Sequence, residues 1–197
     1  MHDEILGLLA ARKGHFRLES GHHGDLWLNL ELLCLNPKRL EPLAVELARQ
    51  LFAYEVQTVC GPLVEGAFVA LRVALELEVE YTYAERFASA PSEAMYAVEY
   101  RIPGALRDKV RGKRVAIVND VINAGSAVRG TFTDLKACGA QPVVVGALLV
   151  LGSSASRFAT DQEIALKCLA SVPNTLWLPS ECPLCSSGVP LDEERKR

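Results

Sequence analysis

Residues 114–130 read R-V-A-I-V-N-D-V-I-N-A-G-S-A-V-R-G, and few architectures accommodate such a stretch. The apolar run 115–118, bounded by polar residues, has the pattern of a strand buried on both faces of a parallel sheet. It ends in Asn119 and Asp120, crosses a short turn containing Asn123, Ala124, Gly125 and Ser126, and enters a helical pattern through Val128, Phe132 and Leu135. The first N–H groups of a helix lack intrahelical partners and the helix dipole favours negative charge there, so a phosphate can sit at such a junction. A Walker loop is excluded because no Gly-Lys-Ser/Thr occurs, and no G-x-G-x-x-G follows a strand to support a dinucleotide fold. The polar pair before the turn is the distinctive part. A carboxylate and an amide at a strand's end can hold the vicinal hydroxyls of a ribose while the turn holds its 5′-phosphate. The alternative is a βα connection with a capped helix and no ligand.

A second strand–turn–helix precedes it. Residues 56–60 read as a strand, Gly61, Pro62, Leu63, Val64, Glu65 and Gly66 as a turn, and 67–77 as a helix. Glycines there allow backbone to approach a ligand closely, and turn N–H groups can face an anion. A third strand, 79–84, ends in Glu85 and Arg86; residues 87–93 are small and polar, and 95–102 is extended again. Residues 142–151 form a fully apolar strand after Gly139 closes the preceding helix, Gly152, Ser153 and Ser154 a turn, and 164–170 and 175–178 late strands. Upstream, Ile5, Leu8 and Leu9 mark an amphipathic helix over 4–11, strands at 15–19 and 25–30 flank a turn at 20–24, and a helical stripe runs over 37–52 from Pro37. Alternating strands and helices imply an α/β fold with a doubly wound, mostly parallel sheet and helices on both faces. Ligands then lie at the strands' C-terminal ends, which puts residues 61–66, Arg86 and 119–126 on one rim.

With 197 residues, half of them apolar, and no linker or internal repeat, one domain over 1–197 is expected: an N-terminal hood segment (1–36), a core (37–180) and a C-terminal segment and tail (181–197). The tail 192–197 is charged and expected to be disordered. A formal net charge of −3 gives no electrostatic case for nucleic acid or an anionic membrane. No apolar segment suits a bilayer span and the first residues do not suit a signal peptide, so the cytoplasm is the expected location. Cys34, Cys60, Cys138 and Cys168 read as small hydrophobes in a reducing compartment. Each fits a core role, which leaves no case for cysteine-based catalysis. Cys182 and Cys185 form a C-x-x-C, read first as a thiol pair in a tight turn and second as half of a metal site. A structural zinc needs four ligands, and the sequence shows neither a second pair nor a nearby histidine. No metal ligand is assigned on this basis. His22 and His23 read as solvated turn histidines.

The stretch 114–130 resembles the phosphoribosyl pyrophosphate motif of the type I phosphoribosyltransferases, usually two acidic residues and then a T-x-G-S/T turn. N-A-G-S-A-V-R is similar to the T-A-G-T-A-x-R form frequent in the orotate phosphoribosyltransferases. S-G-H-H-G-D resembles their N-terminal S-G-x-H-S-D, and E-C-P-L-C-S-S-G-V-P-L looks like the C-P-L-C-x-x-G-x-P ending of one bacterial and archaeal branch. The resemblance implies transfer of a phosphoribosyl group from phosphoribosyl pyrophosphate to a base, orotate first, in pyrimidine nucleotide synthesis. The alternative is a phosphoribosyl pyrophosphate-binding protein with little turnover, serving regulation or scaffolding. It places Asp120 and Asn119 at the ribose, and Asn123, Ala124, Gly125, Ser126 and Ala127 around the 5′-phosphate. Gly61, Pro62, Leu63, Val64, Glu65, Gly66 and Arg86 fall at the pyrophosphate, while the base-binding residues stay unassigned. It also implies Mg²⁺ held mainly through substrate oxygens, a homodimer, and a mobile loop after the third strand. Several positions depart from the family: Asn119 replaces the first acidic residue and Asn123 a Thr. Glu19 stands for a phosphate-binding Lys, Gly152-Ser153 for Asp-Arg, and the loop region 87–102 holds Arg101 but no Lys or His.

Overall fold

The computed structural model describes residues 2–18, 21–87 and 99–192. The expected loop over 88–93, the start of the extended stretch at 95–98, Glu19 and the tail from 193 lie outside the described residues. The chain opens with helix α1 (His2–Leu8) and a hairpin of β1 (Arg12–Arg17) and β2 (His23–Trp27), paired antiparallel in a sheet of their own. Both strands begin two or three residues earlier than the apolar alternation implies. Phe16, packed against Trp27 at 5.5 Å between rings, sets their common face.

Pro37 then starts α2 (Pro37–Leu51), as its fixed φ and missing N–H favour, and the helix buries Leu40, Leu43, Ala44, Leu47, Ala48 and Leu51. There follow β3 (Thr58–Pro62), α3 (Glu65–Leu77), β4 (Glu80–Phe87), β5 (Glu99–Arg101), α4 (Gly104–Val110), β6 (Arg114–Ile122), α5 (Ser126–Ala137), β7 (Gln141–Leu151), α6 (Ser154–Asp161), β8 (Ala165–Val172) and α7 (Pro183–Ser186). The main sheet has the order β5-β4-β3-β6-β7-β8, and every pairing in it is parallel except β4–β5. Period two divides the central strand between two cores. Ala116 and Val118 of β6 join Leu43, Leu47, Val69 and Val73 from α2 and α3 on one face. Val115 and Ile117 join Val128, Phe132 and Leu135 of α5 and Phe158 of α6 on the other. The fold is therefore α/β, with a mostly parallel sheet covered on both faces.

Several local expectations change. β4 does not stop before Glu85 and Arg86 but continues to Phe87, because the antiparallel partner β5 satisfies its backbone there, with Arg86 opposite Tyr100. Helices α4 and α6, of seven and eight residues, are not predicted from the sequence pattern. Residues 175–178 do not form a strand. Trp177 makes one isolated antiparallel bridge with His23, the two N–H donors reaching the opposite carbonyls at 2.9 and 3.0 Å. That bridge buries His23, which is therefore not a solvated turn histidine.

Candidate active site

The chain leaves β3 toward β4 on one side and leaves β6 toward β7 on the other. Connections diverging from two adjacent parallel strands open a crevice at their C-terminal ends, where α/β sheets hold ligands. Both candidate turns meet at that crevice. Gly61 has no room for a side chain: a Cβ would lie 2.7 Å from Ala67 Cα and 2.5 Å from Ala70 Cβ. Its bareness lets α3 settle directly on β3. Gly66 faces the polar pair itself, since a Cβ there would overlap Asn119 Oδ1. The turn between them contains a cis peptide bond at Leu63–Val64, and Leu63 N–H donates to Ala84 C=O at 2.9 Å.

Asn119 and Asp120 are buried at 8 % and 3 % exposure. Asn119 Nδ2 donates to Val121 C=O at 2.9 Å, which fixes its amide. Asp120 Oδ2 has no hydrogen-bond partner among the described residues. Burial pushes the Asp120 carboxyl up to about 7, against the pull of the Val121 N–H, with the Glu65 carboxylate adding to the rise. A buried carboxylate oxygen without a donor is costly unless a partner from outside the chain supplies one. Cys34 lies close enough to feel Asp120 and Glu65. Burial first, then those two charges, raise its thiol, which makes it a poor nucleophile.

The following turn delivers α5. Gly125 has φ of 86°, a left-handed conformation that glycine adopts without strain. Ser126 is buried at the helix start and Ala127 is half-buried. Asn123 Oδ1 accepts a hydrogen bond from Asn174 Nδ2 at 3.0 Å. Asn174 also presses on Gly152, where a Cβ would stand 2.6 Å from its carbonyl oxygen. The connections after β6, β7 and β8 thus share one residue. Nothing in the sequence singles out Asn174, an ordinary loop asparagine. Arg86 is exposed on β4 and borders an open cleft of about 610 Å³ with Leu63, Val64, Glu65, Glu85, Phe87 and Tyr100. Of the residues chosen from sequence, Leu63, Val64, Glu65 and Arg86 therefore share one cleft, and Gly66 joins that turn to Asn119.

The model of the phosphoribosyl transferase domain matches residues 36–176, from the residue before α2 to the segment after β8. The chain belongs to the phosphoribosyltransferase family. The orotate phosphoribosyltransferase of Thermotoga maritima is 30% identical over 188 residues, covering 95% of this chain and 93% of that protein. Among solved phosphoribosyltransferases, an orotate phosphoribosyltransferase from Aeropyrum pernix superposes with a TM-score of 0.66 at 18% identity, covering 87% of this chain and 94% of that one. The adenine phosphoribosyltransferase of Thermoanaerobacter pseudethanolicus gives 0.67 at 16% identity, covering 86% and 99%. These two likenesses establish the phosphoribosyltransferase fold. The family's substrates are phosphoribosyl pyrophosphate and a base.

Proposed function

We propose that this phosphoribosyltransferase transfers the phosphoribosyl group to orotate, giving orotidine monophosphate and pyrophosphate. The observation that carries the site is the buried Asp120 carboxylate, with one oxygen lacking a partner among the described residues, in the last three residues of β6 and ahead of the turn into α5. Orotate as the base rests on the T. maritima relative, whose likeness runs through nearly the whole chain.

In this reading the C1–O bond to pyrophosphate breaks with its electron pair leaving on pyrophosphate. The C1–N bond to the base forms at the same carbon from the nitrogen's electron pair, the N–H proton of the base passing to pyrophosphate or solvent, and positive charge develops on the ribose between the two. Asp120, itself buried, accepts hydrogen bonds from the ribose hydroxyls and offsets that charge. Asn119, held by Val121, adds a neutral hydrogen-bonding partner. The N–H groups at the start of α5, with Asn123 and Ser126, receive the 5′-phosphate. The turn 61–66 and Arg86 receive the leaving pyrophosphate. Asp120 and Glu65 give the acidic surroundings a hard cation requires, so Mg²⁺ carried mainly by substrate oxygens fits here; it supplies charge neutralisation on the pyrophosphate. With Asn119 in place of a second carboxylate, turnover is slower than two acidic residues would allow.

The test is a turnover assay with orotate, adenine and other bases beside calorimetric titration of phosphoribosyl pyrophosphate. Orotate is expected to react measurably and the other bases to lag well behind. Asn119→Asp is expected to raise the rate if charge is the deficit. Removing one such electrostatic contact typically costs ~3 kcal/mol, about a hundredfold, and restoring it regains part of that. Tight binding with no turnover on any base would instead identify a regulatory binding protein.

A further inference from the structure

The hairpin and the C-terminal segment meet at four side chains that lie outside the matched family domain, residues 36–176. His15 comes from β1 and His23 from β2, while Cys182 precedes α7 and Cys185 lies within it. Their ligand atoms all lie within 4.8 Å of one another. His15 Nε2 stands 3.1 Å from His23 Nδ1, 3.3 Å from Cys182 Sγ and 3.7 Å from Cys185 Sγ, and His23 Nδ1 is 3.3 Å from Cys185 Sγ. A tetrahedral zinc with Zn–N of about 2.0–2.1 Å and Zn–S of about 2.3 Å separates its ligand atoms by roughly 3.3–3.8 Å. The four distances above, 3.1–3.7 Å, are close to those spacings, and no pair of ligand atoms lies further apart than 4.8 Å.

Hydrogen bonding alone explains the cluster poorly. The other nitrogen of His15, Nδ1, lies 2.8 Å from Val189 C=O and must carry the proton to bond it. In a neutral ring Nε2 then presents a lone pair to the cluster, facing another ring nitrogen and two sulfurs, which are weak donors. His15, His23 and Cys182 are buried at 2, 5 and 1 % exposure, where such lone pairs gain little from water. A cation at the centre satisfies all four at once. The Val189 carbonyl is the kind of outer partner that fixes a ligating imidazole's tautomer and orientation.

We propose that His15, His23, Cys182 and Cys185 bind one structural zinc ion that fastens the N-terminal hairpin to the C-terminal segment. Two imidazoles and two thiolates in a tetrahedron suit zinc and offer no oxygen ligand to calcium or magnesium. Four protein ligands leave no open position, so the ion holds the fold together and does no chemistry. The elements joined need such a tie. A two-stranded hairpin and a four-residue helix bury little apolar surface by themselves. The His23–Trp177 bridge and the Asp192 N–H to His15 C=O bond, at 2.7 Å, hold the same two segments in register around the ion.

The untagged full chain, purified without chelator, should contain close to one zinc per chain by mass spectrometry of the metal. After removal of zinc, cobalt(II) should restore visible d–d and thiolate charge-transfer bands of a tetrahedral site, which zinc then abolishes at equivalence. Cys185 is exposed, so Cys185→Ser should remain folded by circular dichroism and yet lose most of its zinc. His23→Gln should do the same, and Cys168→Ser should keep its zinc. Chelation should lower the melting temperature of the wild type and not that of Cys185→Ser. A chain with under about a tenth of a zinc and no cobalt spectrum would overturn the proposal. So would undiminished zinc in Cys185→Ser, or a Cys182–Cys185 disulfide in the freshly purified protein.

Discussion

Asp120 carries opposite demands on stability and function. Its carboxyl sits near 7 when folded, against an ordinary value of 3.8, because burial disfavours the charged form. A carboxyl raised on folding contributes its full stability below about 4 and loses it as pH rises through about 7. Asp120→Asn removes that titration. The variant should melt above the wild type at pH 8, with the difference closing as pH falls toward 4; thermal denaturation across that range checks it. The ligand reads the same group with the other sign. Asp120→Ala should weaken phosphoribosyl pyrophosphate binding by roughly 1–3 kcal/mol, the cost of losing a charge-assisted partner. Wild-type affinity should also rise with pH through about 7 as the carboxylate ionises. Calorimetry showing no loss in Asp120→Ala would remove Asp120 from the site.

The two βα turns depend on glycine for different reasons, and substitution separates them. At Gly125 the need is conformational: φ is 86°, but a Cβ would meet nothing nearer than Arg129 Nε at 3.6 Å. Gly125→Ala should cost about 1–2 kcal/mol through left-handed backbone alone. At Gly66 the need is space. Alanine there must displace Asn119, which breaks its bond to Val121. Gly66→Ala should therefore cost roughly 1–3 kcal/mol as overpacking and weaken ligand binding as well. Adding Asn119→Ala should recover part of the stability but not the binding. Urea denaturation and calorimetry on the single and double variants distinguish the cases.

Assembly belongs to the molecule as a whole. α3 buries Val69, Val73 and Ala74 toward the sheet, yet Val64, Phe68, Leu71 and Leu75 line its other side at 49–67 % exposure. That spacing makes one apolar stripe along the helix and the turn before it. The turn is the proposed pyrophosphate turn, so a second copy of the chain seated on the stripe would also steady the site. We propose a homodimer formed through this face. Sedimentation at micromolar concentration should show twice the chain mass, and Phe68→Glu with Leu71→Glu should give a monomer that stays folded. A monomeric wild type would count against the dimer.

The strand, polar pair, turn and helix of 114–130 could be read from the chain because each signal is local. Period-two burial, small residues at the turn and a 3.6-residue stripe lie within a few residues of one another, and backbone sterics impose them before any tertiary contact forms. The same holds for α2, α3 and β7, whose patterns are long enough to register. Long-range pairing decided the rest. β4 runs on through Arg86 because β5 happens to satisfy its edge. Asn119 meets Gly66, and Asn123 meets Asn174, only because β3 and β6 are neighbours and three connections end together. His15 and Cys182 stand 167 positions apart in the chain and 3.3 Å apart in space. No local period encodes such a meeting, since it follows from how the hairpin and the segment around Cys182, with little core of their own, are brought to one place.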